Sequence, residues 1–325
     1  MSIHVIRSLQ HAAALLLLSA AASVHAFDLQ GHRGVRGLAP ENSLAGFAMA
    51  IELGVTTLET DAAITADGVI VLHHDLALNP NHTRDAAGRW LAQASLPIYR
   101  MRWAELQSFD VGRIQPGSNY AKQFADQKPI DGTRVPALSA LFELVKNSAN
   151  SQIRLAIETK LNPLLPDDTQ APEPFATALV DAVRKAGLQQ RVQIMSFDWR
   201  TLQVVQRIAP EIPTVYLTAQ QNWLDNIGAG RAETSAWTAG FDYREHGSVP
   251  KMIKAAGGGI WSVFHGDLDA AKLAEARALG LKVLVWTVND VPGMRRMVEL
   301  GVDGLITDRA DLARPLLQVL GIRPQ

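Results

Sequence analysis

The chain has 325 residues, 47% hydrophobic and 19% charged, with a formal net charge of −1 and no cysteine. That is enough apolar chain for a sizeable core, as one large domain or two smaller ones. The balanced charge gives no electrostatic footprint for nucleic acid, and the missing thiols exclude disulfides, thiolate nucleophiles and cysteine-ligated zinc.

The first 26 residues have the layout of a secretory signal. Arg7 is the single cation ahead of the apolar run "HAAALLLLSAAA", and Val24 and Ala26 stand where a signal peptidase reads. The run is too short for a stable membrane span. The reading expects a cleaved signal over 1–26, a mature chain from about Phe27 and a periplasmic or secreted protein; the alternative for this segment is a buried or anchoring helix.

From Phe27 onward short extended runs alternate with helical patterns. "LQGHRG" (29–34) precedes a helix over 43–53 with Ser43 at its N-cap, and "TTLETDAAIT" (56–65) is the second strand. Asp67-Gly68 reads as a hairpin turn that returns the chain as "VIVLHHD". Residues from about 76 to 134 carry no clean period and read as an inserted excursion of loops and short helices. The rhythm then resumes with helix 137–149 and strand 153–161, helix 173–186 and strand 191–197, helix 199–208 and strand 214–219. An uneven loop and a helix near 249–256 lead to strand 260–265, then helix 269–279, strand 282–289, helix 291–300, strand 304–307 and helix 310–320. Eight β/α units predict an α/β TIM barrel with a small insertion after the second strand; a doubly wound open sheet is the alternative.

In a TIM barrel the chemistry sits at the C-terminal ends of the strands. Those ends hold His32-Arg33, Glu59 and Asp61, Glu158 and Lys160, Phe197-Asp198, Trp286 and Asn289, and Asp308, with His73-His74-Asp75 on the returning arm. Glu59 and Asp61 are two apart and share a face of their strand, as do Glu158 and Lys160. Three converging carboxylates suit one hard divalent cation, Mg²⁺ or Ca²⁺. Arg33 and Lys160 supply fixed positive charge for an anionic substrate. Imidazoles near such a centre suit acid–base work, and the set reads as phosphoester hydrolysis. Alternation places His73 and His74 on opposite faces.

"GHRG" (31–34), "ENS" (41–43), "LETD" (58–61), "HHD" (73–75), "IETK" (157–160), "SF" (196–197), "WTVN" (286–289) and "DGLITD" (303–308) resemble, in order, the pattern of the glycerophosphodiester phosphodiesterase family. The resemblance implies a TIM barrel with its own insertion over about 76–134, forming one domain over 27–325. It implies hydrolysis of small glycerophosphodiesters to glycerol 3-phosphate and an alcohol. It also implies His32 and His74 as catalytic residues, and Glu59, Asp61 and Glu158 as ligands of one Mg²⁺ or Ca²⁺. Arg33 and Lys160 then contact phosphate, Phe197 and Trp286 wall the glycerol or alcohol side, and Glu41 supports the site or caps a helix. His73 then faces away into packing or solvent, and Asp75 orients a histidine or the local loop. Ser43 in place of Thr, Ala310 in place of Pro and the run after Asp75 depart from the pattern. Two competing readings are a lysophospholipase D-like phosphodiesterase with an acyl channel built from 76–134, and an exported binding protein without turnover. The choice of cation, the acid and base assignment, the first nucleophile and the oligomeric state stay open.

Overall fold

In the computed structural model, which describes residues 27–325, eight parallel strands close on themselves. They are β1 (Asp28–Gly31), β2 (Thr57–Ile64), β3 (Arg154–Thr159), β4 (Val192–Ser196), β5 (Thr214–Thr218), β6 (Ile260–Phe264), β7 (Lys282–Trp286) and β8 (Gly304–Thr307). Each pairs with its sequence neighbours, and β1 pairs with both β2 and β8, so Gly31 lies opposite Leu58 on one side and Thr307 on the other. That closure leaves no edge in the ring and makes the fold a TIM barrel, with the open doubly wound sheet excluded. The expected signal segment lies outside the described residues. Among the described residues no helix is long and apolar enough to cross a membrane.

The longer helices between and after the barrel strands are α1 (Leu44–Glu52), α2 (Leu138–Asn147), α3 (Pro172–Ala186), α4 (Trp199–Ile208), α5 (Val249–Ala255), α6 (Ala270–Ala278), α7 (Val291–Leu300) and α8 (Ala310–Val319), with a single-turn helix Tyr243–His246 ahead of α5. Ser43 caps α1 by accepting the Gly46 N–H, and Asp198, Asp269 and Asp290 cap α4, α6 and α7 in the same way. The apolar faces of the helices pack on the outward residues of the strands, such as Leu58, Ala62, Leu155, Ile157, Val283 and Val285. The inward residues of alternate register, Ala156, Met195, Val215, Leu217, Leu284 and Ile306, fill the barrel interior. Every residue of β2 is buried, because helices cover one face and the barrel interior the other. Period two therefore sends Glu59 and Asp61 into the barrel mouth while Leu58, Thr60 and Ala62 face outward.

The first strand ends at Gly31, earlier than the run 29–34 suggests. Arg33 takes a left-handed φ of 51° and Gly34 a φ of 87°, and the Gly34 N–H turns back to the Gly31 carbonyl. A Cβ at Gly34 would lie 2.9 Å from the Gly46 backbone, so the close approach of α1 to this loop needs glycine there.

After β2 the chain reverses through Asp67-Gly68 (Gly68 φ 81°) into a short antiparallel arm, Ile70–Leu72. Residues 76–134 then form a satellite with three short helical pieces, Ile98–Arg100, Trp103–Leu106 and Asn119–Gln123. Its own small core joins Leu78, Ile98, Met101, Leu106 and Val111 to Val135 just beyond it, Ala63 of β2 and Val71 of the arm. At the opposite end of the barrel Phe27 bridges Pro324, and the Gln325 N–H donates to the Phe27 carbonyl at 3.0 Å.

Candidate active site

The C-terminal ends of the strands surround a cleft of about 580 Å³. Its lining includes His32, Arg33, Glu59, His74, Glu158, Lys160, Phe197 and Trp286, while Asp61 sits fully buried just beneath. The structure thus brings all nine candidate residues into one place, from β1, β2, β3, β4, β7 and the arm after β2.

Both cleft histidines are anchored through Nδ1. The His32 Nδ1–H donates to Asp308 Oδ1 at 2.7 Å, and the His74 Nδ1–H donates to Asp75 Oδ1 at 2.7 Å. A carboxylate accepts only, so each partner selects the tautomer that leaves the Nε2 lone pair free. His32 Nε2 lies 3.9 Å from Glu59 Oε2, pointing toward the acidic group. The two anchors differ in strength. Asp308 is buried, takes Arg36 Nε at 3.0 Å and Nη2 at 3.1 Å, and accepts Asn289 Nδ2 at 2.7 Å. The Asp75 side chain is 36% exposed, and Asn79 is its one other side-chain partner among the described residues. Burial depresses the His32 pKa more than Asp308 raises it. His74 is pushed down to about 3, first by burial and then by Arg33 and Lys160; its ring is 33% exposed to the cleft, and solvent there softens this. Both rings are therefore neutral at neutral pH, each with an Nε2 lone pair free to take a proton.

His73 is buried and turned away from the cleft. Its Nδ1–H donates to the Asp75 carbonyl at 2.9 Å, and its ring packs 5.9 Å from the ring of His82.

Glu59, Asp61 and Glu158 each offer an oxygen within 4.8 Å of the others, all buried. Burial raises the Glu59 carboxyl well above the usual range, and the Asp61 and Glu158 charges add to it. Burial alone would also raise Asp61, but Arg33, His74, Lys160 and the Asn42 amide together hold it far below the usual range. Lys160 Nζ donates to Glu158 Oε1 at 2.7 Å and lies 3.6 Å from Asp61 Oδ1. Asp61 Oδ1 has no hydrogen-bond partner despite its burial. An orphaned carboxylate oxygen within a mutually repelling, all-oxygen trio fits a hard divalent cation. Arg33 anchors the same cluster: its N–H donates to Glu59 Oε2 at 2.8 Å and its Nη1 to Glu41 Oε1 at 2.8 Å.

Four residues important to this geometry had no role assigned from sequence. Asn42, inside "ENS", has a left-handed φ of 51°, donates to Asp61 Oδ2 at 2.9 Å and accepts from Thr60 Oγ1 at 2.8 Å. Asp308 and Asn289 were visible as strand-end residues, and their mutual bond was not. Arg36 lies one turn after His32 in "GHRGVRG", and that i, i+4 spacing is the signal that points to it. The competing lysophospholipase D-like reading looks to 76–134 for an acyl channel; from that segment Leu76 and Gln123 line the cleft. The apolar wall comes instead from inside the barrel (Met195, Leu217, Ile306) and from the loop after β5 (Trp223, Leu224, Trp237). Trp286 stands edge-on to Phe197 at 5.4 Å and to Phe264 at 5.5 Å, which completes this side.

The sequence model of the glycerophosphoryl diester phosphodiesterase family matches residues 32–312. A glycerophosphodiester phosphodiesterase of Caldanaerobacter subterraneus subsp. tengcongensis is 24% identical over 277 residues, covering 85% of this chain and 92% of the relative. A crystal structure from Silicibacter pomeroyi DSS-3, named for the same family, is 35% identical with a TM-score of 0.81, over 92% of this chain and 95% of that one. An Oleispira antarctica phosphodiesterase, solved with its product sn-glycerol-3-phosphate, shares the fold at 21% identity and a TM-score of 0.65, over 90% and 97% of the two chains.

Proposed function

The chain belongs to the glycerophosphoryl diester phosphodiesterase family and is an enzyme of that type, and on that premise we propose that it hydrolyses small glycerophosphodiesters to glycerol 3-phosphate and an alcohol by metal-dependent, paired-histidine catalysis. The observation that carries the reading is the pair of Nδ1-anchored imidazoles over a buried acidic trio, with Arg33 and Lys160 beside it. Glu59, Asp61 and Glu158 would hold one Mg²⁺ or Ca²⁺, which when bound supplies Lewis-acid polarisation of a phosphoryl oxygen.

The chain's own residues do the rest. Arg33 and Lys160 stabilise charge that grows on the phosphoryl oxygens. One histidine takes a proton at Nε2 from the attacking hydroxyl, and the other returns one from Nε2 to the departing alkoxide. Asp308 and Asp75 hold the rings in the tautomer that keeps Nε2 reactive. Phe197 and Trp286 pack against the carbon skeleton on one side of the phosphate and exclude water there.

The test is hydrolysis of a panel of glycerophosphodiesters by the purified chain with Mg²⁺, with Ca²⁺ and with EDTA. The expected result is cation-dependent release of glycerol 3-phosphate, with His32→Ala and His74→Ala each lowering kcat by about two orders of magnitude or more. Near-normal turnover in both variants sinks the assignment. The apolar wall of Trp223, Leu224 and Trp237 makes lysophosphatidylcholine the informative competitor, and preference for it over glycerophosphocholine would move the reading to lysophospholipase D-like activity. Residues 1–26 we assign as a cleaved export signal of a periplasmic or secreted enzyme; residues 27–325 are then its single catalytic domain, with 76–134 as an insertion. N-terminal sequencing of the exported protein, starting near Phe27, checks the cleavage.

A further inference from the structure

We propose that Tyr120, carried by the insertion, is a positioning residue that ties the inserted segment to both sides of the active site at once; the inference rests on the functional reading of His32 and Arg33.

The argument starts from what the Tyr120 hydroxyl touches. It donates to Glu41 Oε2, and Glu41 Oε1 in turn accepts from Arg33 Nη1 at 2.8 Å. It also accepts from Arg36 Nη1 at 3.4 Å, and the same guanidinium grips both oxygens of Asp308, the carboxylate that orients His32. One phenol therefore stands at the junction of two chains of hydrogen bonds. One chain ends on the arginine beside the acidic trio, and the other on the Nδ1 of a cleft histidine.

Neighbouring residues of the insertion reinforce the grip. The Arg36 guanidinium lies 4.4 Å above the Phe124 ring, and Tyr120 packs edge-on against that ring at 4.8 Å. Gln127 Nε2 donates to the Arg36 carbonyl at 2.7 Å, and the Lys128 N–H donates to the Leu38 carbonyl at 2.8 Å. These contacts fix the backbone of the loop after β1 as well as its side chains. Among insertion residues Tyr120 alone bonds to side chains on both branches. Arg36 and Glu41 carry opposite charge and face each other across its hydroxyl, so removing that group loosens two charged side chains together. Tyr120 and Glu41 are not among the cleft-lining residues, and Arg36, which borders the cleft, is held on Asp308, which makes the effect of the phenol one of orientation.

The test compares Tyr120→Phe with Tyr99→Phe. Tyr99 is also in the insertion and bonds to Gln170, away from the cleft. Tyr99→Phe should leave kcat unchanged. Tyr120→Phe should lower kcat about ten-fold or more with KM changed far less, in protein whose thermal transition stays cooperative, because supporting partners of catalytic groups act at about that scale. Arg36→Lys keeps the charge but loses the two-pronged grip on Asp308, and it should show the same split. The double variant should be no worse than the poorer single one, since both act on one network. Should Tyr120→Phe fail to fold, Arg36→Lys decides the matter by the same split. Wild-type kcat in whichever of the two folds, or fully multiplicative losses in the double variant, overturns the proposal. Failure of the underlying reading looks different: the unmodified enzyme then releases no glycerol 3-phosphate, or His32→Ala retains full turnover.

Discussion

Asp308 offers two oxygens to four donors: His32 Nδ1, Arg36 Nε and Nη2, and Asn289 Nδ2. Replacing it with alanine would strand the buried Arg36 charge at a cost of about 3–5 kcal/mol, so lost activity there would confound orientation with folding. Asp308→Asn is the cleaner probe. The amide can keep its oxygen at the Oδ1 position for His32 Nδ1 and Arg36 Nε, but its NH₂ group then opposes the Arg36 Nη2 and Asn289 Nδ2 donors, and the negative charge behind the ring is lost. We expect kcat to fall about a hundred-fold, in line with the loss of an orienting carboxylate behind an acid–base histidine. Asp75→Asn should cost clearly less, about ten-fold. Asp75 is partly exposed and its histidine borders solvent, so cleft water can take over part of its role. Steady-state kinetics of the two variants side by side give the ranking, and equal losses would show that burial of the anchor is not what sets its value. Two of the residues to which sequence reading gave no role lie away from strand ends. Asn42 and Arg36 hold first-strand and second-strand groups from a loop, and no hydrophobic period marks a loop side chain.

At the level of elements, the eight strands and eight helices were legible because β-branched runs and 3.6-residue periods recur along the chain, as in "KVLVW" and in α3. Boundaries failed where local backbone chemistry overrode the pattern, as at Gly31, where the left-handed Arg33-Gly34 pair ends the strand inside an apparently continuous run. The insertion stayed opaque for a physical reason. Its core uses Leu78, Ile98, Met101, Leu106 and Val111, spaced too unevenly for any period to show. The same segment yields a structural prediction. A Cβ at Gly112 would fall 1.9 Å from the Ile130 carbonyl oxygen. Both backbones are paired there, with the Ile130 N–H donating to the Gly112 carbonyl at 2.7 Å. Gly112→Ala should therefore loosen the insertion at a cost of about 1–3 kcal/mol while the barrel stays folded. Limited proteolysis should then cut within 76–134 before any barrel site, and an unchanged digestion pattern would refute the claim.

For the molecule as a whole, the site's charges set how stability varies with pH. Burial would raise the Asp308 carboxyl, but Arg36 and His32 outweigh it and hold it far below the usual range; Arg33, His82, Arg36 and Tyr120 do the same for Glu41. A folded pKa below the unfolded one stabilises the fold above the unfolded value, and that contribution is lost as pH falls through the folded value. Acid should therefore erode the melting temperature below about pH 4, where the unfolded carboxyls begin to take up protons. Glu59 works in the opposite sense: its raised pKa means that a proton competes with any cation for the trio. Saturating Mg²⁺ or Ca²⁺ should raise the melting temperature more at about pH 8 than at about pH 5, and at a hundred times Kd the stabilisation is about 2.7 kcal/mol. Differential scanning calorimetry across pH with and without the cation measures both effects, and a cation shift that grows toward acid would contradict the assigned trio.

The Phe27–Pro324 bridge bears on how the enzyme can be displayed. Strand direction puts Phe27 and Gln325 on the face of the barrel remote from the cleft, joined by a backbone hydrogen bond. A bead, an electrode or a fusion partner coupled through that face would leave the mouth of the barrel pointing into solution, open to a diffusing diester from every side.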